Sequence, residues 1–294
     1  MKNAELISKR KLIKNSASLL ALTALGPVAN LFSFDKKRKY QIGACDWSIG
    51  KRNEVDALEV AKKIGLDGVQ VSLGDTKNNM HLRKIEIQKA YKAASKQFGV
   101  KISSLGIGEL NNIPYKSDPR TEEWVSDSID VAKAFKCQVI LLAFFGNGDL
   151  KGDEEGTKEV IRRLKKVAPK AEKEGIILGI ESWLSADEHL DIIHDVGSEN
   201  VKVYYDVANS HKMGYNIYNE LSTLGKKYIC EVHAKENGFL LGQGEVDFPR
   251  VKGILDSINY DGWVIIEGAV PNGGDLLESY VKNREYLGEI LNGE

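Results

Sequence analysis

Ile176-Ile177-Leu178-Gly179-Ile180-Glu181 is a short apolar run that ends on an acid. Before it, residues 155–174 carry a helix-period pattern closed by Gly175, a residue suited to the left-handed backbone at a helix C-terminus. After it, a second helix-period stretch at 186–196 leads to Val203-Tyr204-Tyr205-Asp206, again apolar and again ending on an acid. The same unit repeats in both directions. Strands rich in Val, Ile and Tyr are expected near 40–45, 68–73, 100–106, 138–144, 176–181, 201–206, 229–233 and 263–267. Helices are expected near 54–64, 84–97, 121–135, 155–174, 186–196, 217–224, 249–258 and 277–291. Gly65 and Gly99 sit like Gly175 at helix ends, and Asp118-Pro119 and Phe248-Pro249 look like helix starts. Strict strand–helix alternation predicts a parallel sheet with helices outside. Eight such units predict an α/β fold of one domain, a (β/α)8 TIM barrel. No GxGxxG follows the first strand, which weakens a dinucleotide-binding alternative.

The first 34 residues read differently. Lys2, Lys9, Arg10, Lys11 and Lys14 precede the apolar stretch Leu19–Leu25, and small residues around Gly26-Pro27-Val28-Ala29 follow. That order is a signal peptide's. Ser8-Lys9-Arg10-Lys11-Leu12-Ile13-Lys14 looks like a twin-arginine motif with Lys in place of the first Arg. The expectation is a leader over 1–34, removed or disordered, a barrel over 35–294, and a periplasmic or otherwise exported protein. No Cys follows the apolar stretch, so no lipid anchor is expected, and no run approaches the roughly 20 apolar residues of a membrane span.

The chain of 294 residues is 42% hydrophobic and 28% charged, with a net charge of −1. Its Lys and Arg are spread along the whole length, so no nucleic-acid partner is expected. Cys45, Cys137 and Cys230 are far apart and odd in number, which reads as buried free thiols rather than a disulfide or CxxC framework. The oligomeric state is left open, a homo-oligomer included.

Four consecutive strands end in a potential metal ligand: Glu181, Asp206, His233 and Glu267. The gaps of 25, 27 and 34 residues are each about one strand–helix unit. Active sites of this fold collect at the C-terminal strand ends. One acid there is commonly a helix cap or a loop ion pair. Four on successive strands are hard to place without a cation, because each unpaired buried ion carries its own desolvation penalty. Three carboxylates and one imidazole suit one divalent ion of the Mn²⁺, Mg²⁺ or Co²⁺ class, and the absence of thiols argues against structural zinc.

These segments carry a resemblance. Ile180-Glu181, Tyr205-Asp206-Val207-Ala208-Asn209-Ser210, Val232-His233-Ala234-Lys235-Glu236, Gly242-Gln243-Gly244-Glu245-Val246-Asp247-Phe248 and Ile266-Glu267 are similar to motifs of the sugar phosphate isomerase/epimerase family, the xylose-isomerase-like barrels. The resemblance covers Tyr40 to Leu291. It implies that Glu181, Asp206, His233 and Glu267 bind one metal, and that Glu181 and Glu267 also transfer protons. Two positions depart from the free-ketose epimerases of that group. Asn209 stands where several carry His, and Phe239 stands where they carry Arg.

Strand parity places further residues around the same point. Lys235, two beyond His233, should face the pocket mouth and bind a substrate oxygen or reach water. Trp183, two beyond Glu181, and Trp47, just past the first strand, should wall a sugar ring or pack in the rim. Asn209 and His211 lie on the loop after the sixth strand and can approach substrate. Glu231 should lie deeper, as a partner of His233 or in a separate buried pair.

The chemistry this predicts is isomerisation or epimerisation of a sugar through an enediolate, with the cation stabilising the charge. Export favours a substrate without phosphate. The alternative is a lyase or hydrolase of 3-keto-glycosides, since proton removal beside a ketone can expel a neighbouring glycosidic oxygen. An endonuclease would need several strand-end histidines and a basic groove. A catalytically silent sugar-binding protein is opposed by the intact ligand set.

Overall fold

In the computed structural model, which describes residues 39–294, eight parallel strands pair in chain order and the eighth closes on the first. They are β1 (Gln41–Cys45), β2 (Gly68–Ser72), β3 (Lys101–Ile107), β4 (Val139–Phe144), β5 (Ile177–Ser182), β6 (Val201–Asp206), β7 (Ile229–Glu236) and β8 (Trp263–Gly268). The helices outside are α1 (Ala57–Ile64), α2 (Ile85–Phe98), α3 (Arg120–Phe135), α4 (Glu154–Glu174), α5 (Ala186–Val196), α6 (Val207–Lys212), α7 (Ile217–Tyr228), α8 (Phe248–Ser257) and α9 (Leu276–Asn292). The expected (β/α)8 barrel is the fold observed. The expected leader lies outside the described residues. No helix among the described residues is long and apolar enough to cross a membrane.

Local chemistry ends these elements where the sequence marks them. Gly65, Gly99 and Gly175 hold φ of 86°, 67° and 67° at the C-terminal ends of α1, α2 and α4. Ser185 and Glu188 form a reciprocal capping box at the start of α5, and Asp247 caps α8 with a proline in its first turn. Gly225, at φ 57° and ψ −179°, breaks the helical path of α7 near the expected end at 224. The short helix α6 was not expected. It exists because Asp206, the last residue of β6, also caps it, its side chain accepting from the Asn209 N–H at 2.8 Å.

Two apolar layers result. The larger lies between strands and helices. The smaller fills the barrel's interior with Cys45, Val139, Leu141, Ala143, Tyr204, Cys230 and Ile265. Cys45, Cys137 and Cys230 are all buried and free, as their spacing predicts.

Two buried polar residues tie the frame. Asn283 of α9 accepts from the Leu241 N–H at 2.9 Å and donates to the Ala269 carbonyl at 2.7 Å. It holds the loops after β7 and β8 together. Asn283→Leu strands both backbone groups, and chemical denaturation should show a loss of roughly 2–4 kcal/mol.

His189 of α5 lies between the Ser182 hydroxyl at 3.0 Å and the Ser185 carbonyl at 2.9 Å. Burial lowers its pKa from the usual 6.5 to about 4. The folded state therefore holds it neutral while the unfolded chain takes a proton. That contribution is intact above pH 6.5 and is lost as pH falls from there to about 4. It amounts to roughly 3 kcal/mol at most. Between pH 7 and 4.5 the wild type should lose more stability than His189→Gln, as read by paired thermal melts.

Candidate active site

The four strand-end residues meet at one point. The His233 Nδ1 lies 2.9 Å from Glu181 Oε1, 3.6 Å from Glu267 Oε2 and 3.8 Å from Asp206 Oδ2. One ligand atom from each residue falls within 4.8 Å of the others. Strand register alone does not show this. Asp206 pairs with His233, but Glu267 pairs with Lys235, two residues further along β7. The pairing of Ile180 with Val203 likewise places Asp206 two residues beyond Glu181. Tilted strands bring such staggered positions to one height in a closed barrel.

The cage is crowded with opposing charges. Lys235 Nζ lies 2.8 Å from Glu267 Oε2 and 3.4 Å from Asp206 Oδ2. Burial works against its charge, yet Asp206 and Glu267 hold its pKa above the ordinary lysine value. Burial raises the Glu181 carboxyl, and the nearby His233 does not fully offset it. Burial also pushes on Glu267, but His233 and Lys235 together hold that group below the usual range. Two buried carboxyls facing one pocket are thus driven in opposite directions.

The donor set fits a divalent cation. Asp206 is 3% exposed, and its Oδ2 has no hydrogen-bond partner. That oxygen points at the shared point, where three carboxylates meet one imidazole. A doubly charged, oxygen-seeking ion matches such donors. Cys45 with His233 and Glu267 forms an overlapping group of potential ligands. Burial keeps that thiol protonated, its pKa pushed up to about 12, so the carboxylate set is the better match.

Above the cage is a cavity of about 370 Å³ whose lining includes Glu181, Glu267, Lys235, Asn209, Trp183 and Trp47. Trp47 donates from Nε1 to Glu267 Oε1 at 2.7 Å. Its ring fits only because position 106 is glycine: a Cβ there would lie 2.9 Å from the indole. Trp183 packs edge-on against Phe145, with ring centroids 4.8 Å apart. The outer lining includes Arg52, Glu109, Asn111 and Asn112 from the loops after β1 and β3.

His211 is not among the residues lining that cavity. Its Nδ1 lies 3.4 Å from Glu245 Oε2, and it lines a neighbouring cavity with Glu236 and Phe239. The turn of α6 separates it from Asn209: residues two apart point about 200° apart around a helix. Glu231 feels the charge of His233 but hydrogen-bonds elsewhere. Its Oε2 accepts from the Ser104 hydroxyl at 2.7 Å, and burial raises its pKa to about 7.

Sequence reading missed several polar residues here. Asp46 is fully buried and accepts from the Ser72 N–H at 2.8 Å and the Ser72 hydroxyl at 2.6 Å, fixing the end of β2 beside the pocket. Gln70 accepts at Oε1 from the direction of His233 Nε2, 3.0 Å away. A lone amide inside Gly68-Val69-Gln70-Val71-Ser72 was the readable signal.

Comparison with known proteins agrees with this fold. A D-psicose 3-epimerase of Enterocloster bolteae is 24% identical over 139 residues, 44% of this chain and 45% of that protein. The chain thus aligns with only about half the length of that relative. A putative L-ribulose-5-phosphate 3-epimerase of Haemophilus influenzae is 24% identical over 279 residues, 85% of this chain and 96% of the relative. The crystal structure of the D-psicose 3-epimerase of Clostridium cellulolyticum with D-tagatose superposes with a TM-score of 0.73 at 18% identity, over 86% of this chain and 99% of that one. The family model of the xylose isomerase-like TIM barrel matches residues 58–290. With eight closed strands and ligand-type side chains at the ends of the last four, the chain belongs to the xylose isomerase-like TIM barrel family.

Proposed function

We propose that this chain is a metal-dependent sugar epimerase or isomerase whose proton-transfer pair is Glu181 and Glu267. The observation that carries the reading is the convergence of Glu181, Asp206, His233 and Glu267 on one point, with both glutamates lining one pocket. A divalent cation held by Glu181, Asp206, His233 and Glu267 would supply a Lewis acid that lowers the cost of negative charge on the substrate's oxygens.

The chain's own residues do the rest. Glu181 and Glu267 stand on β5 and β8, with two strands between them. One carboxylate takes the carbon-bound proton next to the carbonyl, and the other returns a proton. Return to the opposite face of the same carbon gives the epimer. Return to the neighbouring carbon exchanges ketose and aldose. Trp47 holds Glu267 in place through its N–H, and Lys235 offers a cation to a substrate oxygen. Trp183 and Trp47 wall the sugar ring, and Asn209 offers an amide at the floor. His211 takes no part.

The substrate is a sugar without phosphate. The leader-like N-terminus supports this, because export would remove the chain from sugar phosphates. The polar outer pocket, with Arg52, Glu109, Asn111 and Asn112, favours a second reading: a 3-keto-glycoside whose leaving group extends between the outer loops.

One experiment addresses both. The Mn²⁺-supplemented protein is incubated in D₂O with a panel of keto-sugars and 3-keto-glycosides and followed by NMR. Deuterium entering one carbon with a new epimer or aldose supports the first reading. Release of the aglycone supports the second. Absence of both exchange and release across the panel refutes the proposed chemistry.

A further inference from the structure

Directly beneath the cage, Cys45, Gln70 and His233 form a polar triangle within the apolar interior of the barrel. Its sides are 3.2 Å from Cys45 Sγ to Gln70 Oε1, 3.0 Å from Gln70 Oε1 to His233 Nε2, and 3.4 Å from Cys45 Sγ to His233 Nε2. All three residues are 0% exposed. Strand pairing explains the meeting: Cys45 pairs with Gln70 across β1 and β2, so one amide shares their inward face.

The two nitrogens of His233 therefore face different surroundings. Nδ1 looks up at the carboxylates, 2.9 Å from Glu181 Oε1. Nε2 looks down at the Gln70 amide. A neutral imidazole has one N–H donor and one bare acceptor nitrogen. If the amide presents oxygen to Nε2, the hydrogen belongs on Nε2, and Nδ1 keeps its lone pair for a cation. If the amide presented nitrogen, Nε2 would have to accept, the hydrogen would move to Nδ1, and the cage would lose a ligand. The structure has the first arrangement: Oε1 is the amide atom that faces both Nε2, at 3.0 Å, and the Cys45 thiol, at 3.2 Å. In that arrangement the Gln70 Nε2 has no hydrogen-bond partner, and both contacts of the amide are made by its oxygen.

We infer that Gln70 is a positioning residue: by accepting the Nε2–H of His233 it holds the imidazole in the tautomer that turns a bare Nδ1 to the cage. This rests on the metal reading above. Groups that orient a ligating imidazole commonly change metal affinity by 10–100-fold when removed.

The test is Mn²⁺ affinity, measured by titration calorimetry on wild type, Gln70→Met and Gln70→Glu. Methionine keeps the length and apolar bulk but removes the acceptor, and glutamate keeps an acceptor. Gln70→Met should weaken Mn²⁺ binding by about 10–100-fold, and Gln70→Glu should stay within a few-fold of wild type. A merely structural amide would lower the melting temperature of Gln70→Met and leave its Mn²⁺ affinity unchanged, which would overturn the inference. If wild type itself binds no Mn²⁺, the cage reading fails and this inference with it. If Gln70→Met does not fold, wild type still answers. In the Mg²⁺-loaded, ¹⁵N-histidine-labelled chain, His233 should carry its hydrogen on Nε2. A hydrogen on Nδ1 would overturn the assignment.

Discussion

Glu181→Gln and Glu267→Gln are each expected to lower turnover by about 10²–10⁴-fold while leaving the barrel folded. The amide keeps the size of the side chain but cannot take a proton from carbon. The two variants should differ in a second property. Glu267 is held in place by the Trp47 N–H at 2.7 Å and by Lys235 at 2.8 Å, so Glu267→Gln removes an ion pair as well as a base. Glu181 contacts the His233 imidazole at 2.9 Å rather than a lysine, so replacing it with a neutral amide disturbs the frame less. Circular dichroism should report a folded chain in both, with the greater loss of melting temperature in Glu267→Gln. The measurement is solvent-deuterium exchange at the substrate's C–H, read beside product formation. Wild-type exchange in either variant would remove that residue from the proton-transfer pair.

Stripping the divalent ion should abolish turnover and lower the melting temperature together. Without a cation, the cage holds three carboxylates against His233 and Lys235, and Asp206 Oδ2 has only ion-pair contacts with them, at 3.8 and 3.4 Å, and no hydrogen bond. An ion that binds only the folded chain stabilises it by about 2.7 kcal/mol at a hundred times its Kd. For a chain of this size that is a shift of roughly 5–10 °C. Dialysis against a chelator, followed by Mn²⁺, Mg²⁺ and Co²⁺ in separate samples, should lower and then restore both readouts. A Glu181→Gln/Asp206→Asn double variant should show no ion-dependent shift. Full activity after exhaustive chelation, with metal analysis confirming its removal, would end the metal reading.

The link from export to substrate choice is a separate expectation. It depends on residues 1–34, which lie outside the described residues. Adding phosphorylated keto-sugars to the substrate panel bears on it directly: a strong preference for them would contradict the reading of the N-terminus as an export leader.

The order of strands and helices was legible because it depends on local chemistry. Apolar runs of six or so residues, glycines at helix ends and prolines at helix starts each act within a few residues of their own position. Glu181, Asp206 and Glu267 were legible for the same reason, since each closes an apolar run at or one residue before its strand end, whereas β7 continues three residues past His233 to Glu236. What the sequence left open follows a different logic. Helix α6 depends on whether the chain continues the sheet past Asp206 or turns into a helix that Asp206 caps, and that choice sends Asn209 toward the pocket and His211 toward Glu245. Glu231 shares the parity of His233, but its partner Ser104 is 127 residues away on the far side of the barrel. No pattern along the chain encodes that pairing.

The sequence by itself determined the closed strand–helix cycle and the side chains offered at its rim, because hydrophobic period and end signals act over short distances. Only the tertiary structure decided which of those side chains share one point. Strand tilt brings positions staggered by two residues to a common height, and side-chain direction at each strand end depends on contacts from strands far away in the chain. The same closure sets Gln70 and Cys45 beneath His233, three residues that nothing in their spacing connects.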